Sequence, residues 1–368
     1  MKIAMLLSGG VDSSTALVRL LEDGHRNVTA YYLKIWLEDG MRHIGSCPWE
    51  EDLEYARAVC ERFNVELRVV PLQREYYDTV VQYAVAELRA GRTPSPDIFC
   101  NQRIKFGAFL DRVGRESVDR IATGHYARLE HSGDETRLLQ APDPVKDQTY
   151  FLSHLSGQQL NRAIFPIGEL QKREVRMLAH RYDLPNQQRR DSQGICFLGN
   201  IRYPDFVRYY LGERDGAIVE HETGRELGRH RGYWFYTVGQ RQGLGLSGGP
   251  WYVVDKITAD NVVVVSHRRV VEEQARESFH AVDLHWVCDL PARTRLMVKL
   301  RHGPQQIPCG IEWLPDGTGL EVRLDRADRG VAPGQFAVFY DGPYCLGAGR
   351  ITVPRESATR TPALGATQ

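Results

Sequence analysis

The stretch MLLSGGVDSSTALVRLLEDG, from Met5 to Gly24, constrains this chain more than any other. Ile3 to Leu7 reads as a short buried strand, whereas Thr15, Ala16, Val18, Leu20 and Leu21 recur at helical spacing. Between them lies a tight turn, where Gly9 and Gly10 allow positive φ and close backbone approach. Asp12, Ser13 and Ser14 can satisfy the unpaired amides of the helix start. Such an amide-lined N-terminus attracts phosphate. No G-K-[ST] follows the glycines, so this is not a Walker loop. Nor does it read as a secretory signal, because the apolar run is short and no small-residue cleavage site follows.

SGGVDSS resembles the pyrophosphate-binding loop of enzymes that split ATP into AMP and pyrophosphate. That superfamily includes GMP synthetase, NAD synthetase, argininosuccinate synthetase and several tRNA-modifying enzymes. The resemblance implies an open parallel sheet and an ATP that adenylates a carbonyl-like oxygen before a nucleophile displaces AMP. It identifies neither the oxygen nor the nucleophile.

At 368 residues the chain should hold two or three domains. Basic and acidic residues both number 47, so a nucleic-acid partner would depend on a local basic surface rather than on net charge. No apolar run approaches the roughly 18 residues of a membrane span, and a soluble, cytoplasmic protein is expected. The seven cysteines are odd in number and none forms a C-x-x-C pair, which argues against a disulfide framework and a structural zinc ribbon. No metal-ligating residue set is expected.

The first 130 or so residues alternate strand-like runs (Val28 to Trp36, Val65 to Pro71, Arg120 to Thr123) with helical ones such as Leu53 to Phe63. This is the pattern of a doubly wound parallel α/β sheet, whose ligands sit beyond the carboxyl ends of the strands. Short helices and basic turns follow from about Gln158. After Gly212, β-rich runs such as WYVVDKI, NVVVVSH, RLMVKLRH and FAVFYDG suggest a small β segment and then a β-barrel. The expected division is a catalytic domain over 1–205, a small central domain over 206–273, a C-terminal β-barrel over 274–355 and a disordered tail over 356–368.

Two cysteines stand in polar, punctuated surroundings. Cys100 lies in AGRTPSPDIFCNQRIKFGAFL, where two prolines suggest an extended loop and a helix is expected to begin near Asn101. A thiol before a helix start, near Arg103 and Lys105, should be more ionised than usual, with Asp97 available to handle protons. Local features alone fit a buried loop cysteine equally well. Cys196 lies in RRDSQGICFLGN between Gly194 and Gly199, and composition alone favours a core cysteine there.

The resemblance narrows with GRTPSPDIFCNQRIKF, ATGHYARL, DPVKDQTYFL, FPIGELQKREVR, DSQGICFLG, HRGYWFYTVGQRQGLGL, PWYVVDKI and PGQFAVFYDG. In this order, over about residues 1 to 350, these blocks look like the tRNA-specific 2-thiouridylases. That family replaces the oxygen on carbon 2 of the wobble uridine with sulfur in the tRNAs for glutamate, lysine and glutamine. The resemblance implies ATP and Mg2+ held through Leu6, Leu7, Ser8, Gly9, Gly10, Val11, Asp12 and Ser13, with Leu33 and Gly124 also against the nucleotide. It makes Cys196 the persulfide carrier, charged by a donor protein such as a cysteine desulfurase or sulfur relay. Cys100 becomes the second catalytic cysteine, releasing sulfide or ending in a disulfide with Cys196, and Asp97 the general acid or base.

The same resemblance puts Ser95, Pro96 and Asp97 near the target base and assigns tRNA contacts to His125, Lys146, Asp147, Gln148, Arg301, His302 and Gln335. An extruded base would need stacking, for which Phe99 and Tyr126 are candidates. The sequence departs from the family in KIWLEDGMRHIGSCPWEEDL and at His302, where a tyrosine is common. A lysidine-forming ligase would need neither cysteine, and an iron–sulfur thiolase would want C-x-x-C ligands.

Overall fold

The computed structural model describes residues 1–35, 49–133, 135–191, 202–267, 276–287, 293–328 and 330–353. In the N-terminal part, strands β1 (Ile3–Leu6), β2 (Val28–Lys34), β3 (Leu67–Pro71) and β4 (Arg120–Ala122) are joined through helical crossovers. The hairpin β5 (Ala127–Ser132) and β6 (Glu135–Gln140) follows, and then the short β7 (Ala163–Ile164). The sheet order is β3-β2-β1-β4-β7, with all pairs parallel. β1 is central and buried at every position, which is why it reads as an unbroken apolar run rather than an alternating one. The expected doubly wound sheet is therefore present, with the glycine loop at the carboxyl end of its central strand.

Helix α1 (Val11–Glu22) leaves that loop and buries Val11, Ala16, Leu17, Val18 and Leu20. Helix α2 (Trp49–Arg62) covers the same core with Leu53, Ala56, Val59 and Cys60.

The helix around Cys100 differs from expectation. It begins at Pro96 and runs through Phe99 into a π-helical stretch, Cys100–Ala108, so Cys100 lies inside a helical run rather than ahead of one. The reason is Pro96: at the first helical position its missing amide costs nothing and its fixed φ favours the turn.

The central strands β8 (Gly216–Glu220), β9 (Glu226–His230), β10 (Trp251–Ile257) and β11 (Val262–His267) form a sheet in the order β10-β11-β8-β9. Six further strands follow: β12 (Arg276–Trp286), β13 (Arg295–Lys299), β14 (Ile307–Trp313), β15 (Gly319–Asp328), β16 (Phe336–Asp341) and β17 (Tyr344–Thr352). They close into an antiparallel barrel because β12 pairs with both β15 and β17. Phe279, Val298, Ile311, Val322, Phe339 and Ile351 are among the residues filling it.

The barrel is not merely tethered. The β5–β6 hairpin leaves the N-terminal sheet and adds to the barrel's edge, Leu138 and Leu139 pairing with Cys345 and Tyr344. Behind this joint, Lys299 of β13 and Asp147 form an ion pair with almost no solvent exposure.

Candidate active site

The glycine loop is held from inside and from behind. Ser13 donates through Oγ to the Gly10 carbonyl at 3.0 Å and accepts from the Ser8 amide at 3.2 Å, closing the turn onto the helix start. Asn186 donates to the Gly9 carbonyl and to Ser14 Oγ, each at 2.8 Å. Arg189 also donates to the Gly9 carbonyl at 3.1 Å while ion-paired with Asp52.

The three loop-facing glycines do different work. Gly9 has φ of +75°, and a Cβ there would stand 2.2 Å from the Asp52 carbonyl oxygen. Gly124, just after β4, would bring a Cβ to 2.7 Å from the Ser13 amide, so it allows the end of β4 to meet the start of α1. At Gly10 the nearest atom to an added Cβ is Ser8 Oγ at 3.4 Å. The protein thus leaves room beside Gly10, at the start of a 12-residue helix whose first amides have no partner within the helix. That space suits phosphate oxygens.

Asp12 faces the same opening. Its Oδ1 accepts from Tyr126 Oη at 2.8 Å and from Lys172 Nζ at 2.7 Å. Burial and the adjoining Asp12 charge push the Tyr126 phenol far up, so it stays a donor. Lys172 also reaches Asp191 at 2.8 Å, where Lys146 (2.6 Å) and Arg176 converge on the same carboxylate. Burial alone would raise Asp191, but hydrogen bonds from Lys146 and Lys172 and their charges hold it well below the usual carboxylate range. Lys172, Arg176, Asn186, Arg189 and Asp191 were not singled out from the sequence as loop partners. Their signal was only the basic text of QKREVR and NQQRRD, which composition cannot tell from a solvated surface. Leu33 is the penultimate residue of strand β2, and Leu6, Leu7 and Val11 are buried behind the loop.

Cys100 corrects the expectation of an ionised thiol. It is buried, and burial pushes its pKa up to about 11, with Asp97 adding to the rise and Lys105 opposing it. The π-helical surroundings that replaced the expected loop are the cause. Phe99 packs edge-on against Tyr83, His154 and Phe336 and beneath Arg103, whose guanidinium lies 3.9 Å from the ring centre. Phe99 and Tyr126, both buried, are therefore committed to the protein and do not stand free to stack on a base. Pro96 is buried, and Ser95 and Asp97 are half-buried on either side of it. Cys196 lies outside the described residues.

The residues expected at the tRNA divide by burial. His125 is buried, with Nδ1 2.7 Å from Thr123 Oγ1 and Nε2 3.4 Å from Lys105 Nζ; burial and Lys105 push its pKa well down, so it is neutral. Asp147 is fully enclosed, accepting from Lys299 at 2.7 Å, Thr149 Oγ1 at 2.9 Å and the Ala141 amide at 3.2 Å. Its side chain is an anchor, which leaves Lys146 and Gln148 on either side of a fixed point. Gln148 Oε1 accepts from the Tyr126 amide at 3.0 Å. His302 stacks on Phe151 with ring centres 4.6 Å apart and meets the Asp147 carbonyl at 3.1 Å, so it closes the barrel against this loop. Arg301 is half exposed and paired with Asp328, and Gln335 is half-buried at the barrel rim.

Comparison with known proteins covers nearly the whole chain. Residues 1–200 match the tRNA methyl transferase HUP domain, 204–267 the tRNA methyl transferase PRC-barrel domain, and 276–351 the aminomethyltransferase beta-barrel domain. The tRNA-specific 2-thiouridylase MnmA 2 of Bacteroides fragilis is 46% identical over 95% of this chain and 100% of its own length. MnmA 1 of Bacteroides thetaiotaomicron is 45% identical over 96% and 100%. The Porphyromonas gingivalis enzyme of the same name is 42% identical over 96% and 100%.

Proposed function

This chain belongs to the tRNA-specific 2-thiouridylases, and from that premise we propose how its own residues make 2-thiouridine in tRNA at the expense of ATP. The observation that carries the proposal is the open, amide-lined start of α1 beside Gly10, with Asp12 at its edge.

The loop from Ser8 to Ser13 binds the triphosphate, and Leu33 and Gly124 border the nucleotide. The Asp12 carboxylate fits Mg2+, which ordinarily takes one or two carboxylates together with substrate phosphates. The triphosphate oxygens and water would supply the ligands that Asp12 does not. Bound Mg2+ would neutralise charge on the departing pyrophosphate.

The uridine O2 attacks the α-phosphorus and pyrophosphate leaves. Carbon 2 now carries an adenylate, a far better leaving group than oxide. The terminal sulfur of a Cys196 persulfide supplies the nucleophile. Either it adds to carbon 2 directly, after which Cys100 attacks Cys196 Sγ and frees the thiouridine, or Cys100 attacks first and expels sulfide, which then adds. AMP departs in both cases with the original oxygen. Both also leave a Cys100–Cys196 disulfide, which a dithiol must reduce by two electrons.

The buried Cys100 thiol suits a group that acts only after Cys196 has been loaded with sulfur, and Asp97, one helical turn away, is the acceptor for its proton. Lys146, Gln148, Arg301 and Gln335 offer polar contacts to tRNA, with Ser95, Pro96 and Asp97 bordering the target base. Asp147 and His302 act on this surface through the backbone they hold, and His125 through the side chains of Thr123 and Lys105 that it meets. The sulfur donor is a protein persulfide carrier, and the glutamate, lysine and glutamine tRNAs are the substrates. No helix among the described residues is long and apolar enough to cross a membrane, and the cytoplasm is the proposed compartment.

The two thiols separate in experiment. Cys196→Ser should stop 2-thiouridine formation yet leave tRNA-dependent release of pyrophosphate, because adenylation needs no thiol. Cys100→Ser should also stop turnover but leave a persulfide trappable on Cys196. Donated sulfur found on Cys100 and never on Cys196 would reverse these roles.

A further inference from the structure

Two cations follow Cys100 in its helical run, and the structure separates them. Arg103 donates from Nη1 to the Thr79 carbonyl at 2.6 Å and lies over the Phe99 ring, so its charge is committed to packing. Lys105 has no carboxylate partner among the described residues. Its half-buried ammonium stands instead 3.4 Å from Nε2 of the buried His125. An ammonium can only donate, so in the neutral ring Nε2 carries no proton, and Nδ1 donates its hydrogen to Thr123 Oγ1 at 2.7 Å.

The winding of the helix decides which of the two serves the thiol. In an α-helix, at about 100° per residue, a side chain five positions on points about 140° away. The stretch Cys100–Ala108 is π-helical, and its i to i+5 hydrogen bonds bring a residue five positions on round above the first. Lys105 is that residue for Cys100, and its charge favours ionisation of the thiol, whereas Asp97 opposes it. The other titratable groups nearby are engaged elsewhere: Tyr83 and His154 pack edge-on against Phe99, and Tyr150 donates its hydroxyl to the Phe336 carbonyl at 3.1 Å. His125 directly follows Gly124, which meets the start of α1, so its hold on Lys105 ties this helix to the nucleotide loop.

We infer that Lys105 is a positioning residue for sulfur transfer, its ammonium, held by His125, serving as the counterion of the Cys100 thiolate. This rests on the two-thiol reading above. The Cys100 S–H bond breaks, its proton passes to the Asp97 carboxylate and the electron pair stays on sulfur. The thiolate then attacks Cys196 Sγ, forming the disulfide and displacing the outer sulfur with its electron pair. Lys105 keeps its own proton throughout. A half-buried ammonium without a carboxylate is thus supplied with its anion only during the step, and a thiol that burial keeps protonated at rest gains a reason to ionise there.

The test is a single turnover of the full chain, loaded with persulfide on Cys196 by a protein persulfide donor and then mixed with tRNA and Mg-ATP without reductant. Peptide mass spectrometry follows the Cys100–Cys196 disulfide, and release of pyrophosphate is timed in the same samples. Lys105→Gln and Lys105→Met both remove the charge, and melting temperature selects the one that folds as wild type does. Losing an opposite charge at this range should slow disulfide formation about tenfold or more. Persulfide loading and tRNA-dependent pyrophosphate release should stay as they were, because neither needs the Cys100 thiolate. Lys105→Arg, which keeps the charge, should recover most of the rate. A disulfide formed at the wild-type rate in the neutral variant, an arginine variant as slow as the neutral one, or an equal loss of pyrophosphate release would overturn the assignment. A wild-type chain that makes 2-thiouridine without ever forming the disulfide would instead overturn the two-thiol reading on which it rests.

Discussion

Lys299 Nζ lies 2.7 Å from Asp147 Oδ2 in the interior between the N-terminal part and the barrel, where both side chains are at most 1% exposed. A pair this buried fixes register. Its ammonium also stands 5.3 Å from the centre of the Tyr340 ring, while Asp147 takes further hydrogen bonds from Thr149 and the Ala141 amide. The loop that carries Lys146 and Gln148 is therefore set by a barrel residue more than 150 positions away in sequence.

Breaking that pair should cost the fold heavily. Lys299→Ala leaves a carboxylate without its counterion in a closed interior, for which about 3–5 kcal/mol is the usual loss. The double variant Lys299→Met, Asp147→Leu should recover much of that. Denaturant unfolding followed at the barrel tryptophans measures both, and a single variant as stable as wild type would show that the pair does not hold the joint.

The glycines of the loop should separate by consequence. Gly9→Val places a branched side chain at positive φ and against the Asp52 carbonyl, so it should fold poorly. Gly10→Val has room in the protein but fills the space beside the helix start. It should melt close to wild type and lose Mg-ATP binding. Equal nucleotide affinity in Gly10→Val would remove the phosphates from this position.

Cys100 should behave as a protonated thiol in the resting protein. Its pKa is raised from 9.0 to about 11 by burial, so the native state keeps the proton where the unfolded chain has already lost it. By linkage, the contribution is fully present below pH 9 and is lost as pH rises from about 9 to about 11. Alkylation with iodoacetamide at neutral pH should be slow in the folded chain and fast in urea. Comparison with Cys100→Ser isolates this thiol from Cys60 and Cys309, whose buried thiols are also shifted upward. Rapid alkylation of Cys100 in the free protein at pH 7 would contradict its enclosure.

Affinity for tRNA should fall with salt even though the chain has no net charge, because a local set of cations must replace counterions on the phosphates. Lys146→Ala should lower the slope of log affinity against log salt by about one. An unchanged slope would confine Lys146 to its pairing with Asp191.

The sheet, the glycine loop and the barrel were legible in the sequence because each has a periodicity or a turn chemistry that neighbours in sequence supply. Gly9, Gly10 and Asp12 announce their use within seven residues. What depended on distant partners was not legible. Cys100 looked ionisable beside Arg103 and Lys105, yet Arg103 lies over Phe99, and a helix begun by Pro96 carries the thiol into the core. Asp147 looked like a surface contact because its counterion, Lys299, lies in a distant strand that reads from sequence only as a short β-rich run. Lys172 sat in a run of basic residues with no local mark of its approach to Asp12.

The central claim is that this chain exchanges the oxygen on carbon 2 of a tRNA uridine for sulfur, using ATP. Mass spectrometry of wobble nucleosides, from tRNA incubated with the protein, ATP, Mg2+ and a persulfide donor, tests it most directly. The expected result is 2-thiouridine, formed together with equal amounts of AMP and pyrophosphate and absent when ATP is withheld. Unchanged uridine under these conditions, or a methylated base in place of a thiolated one, would contradict the account.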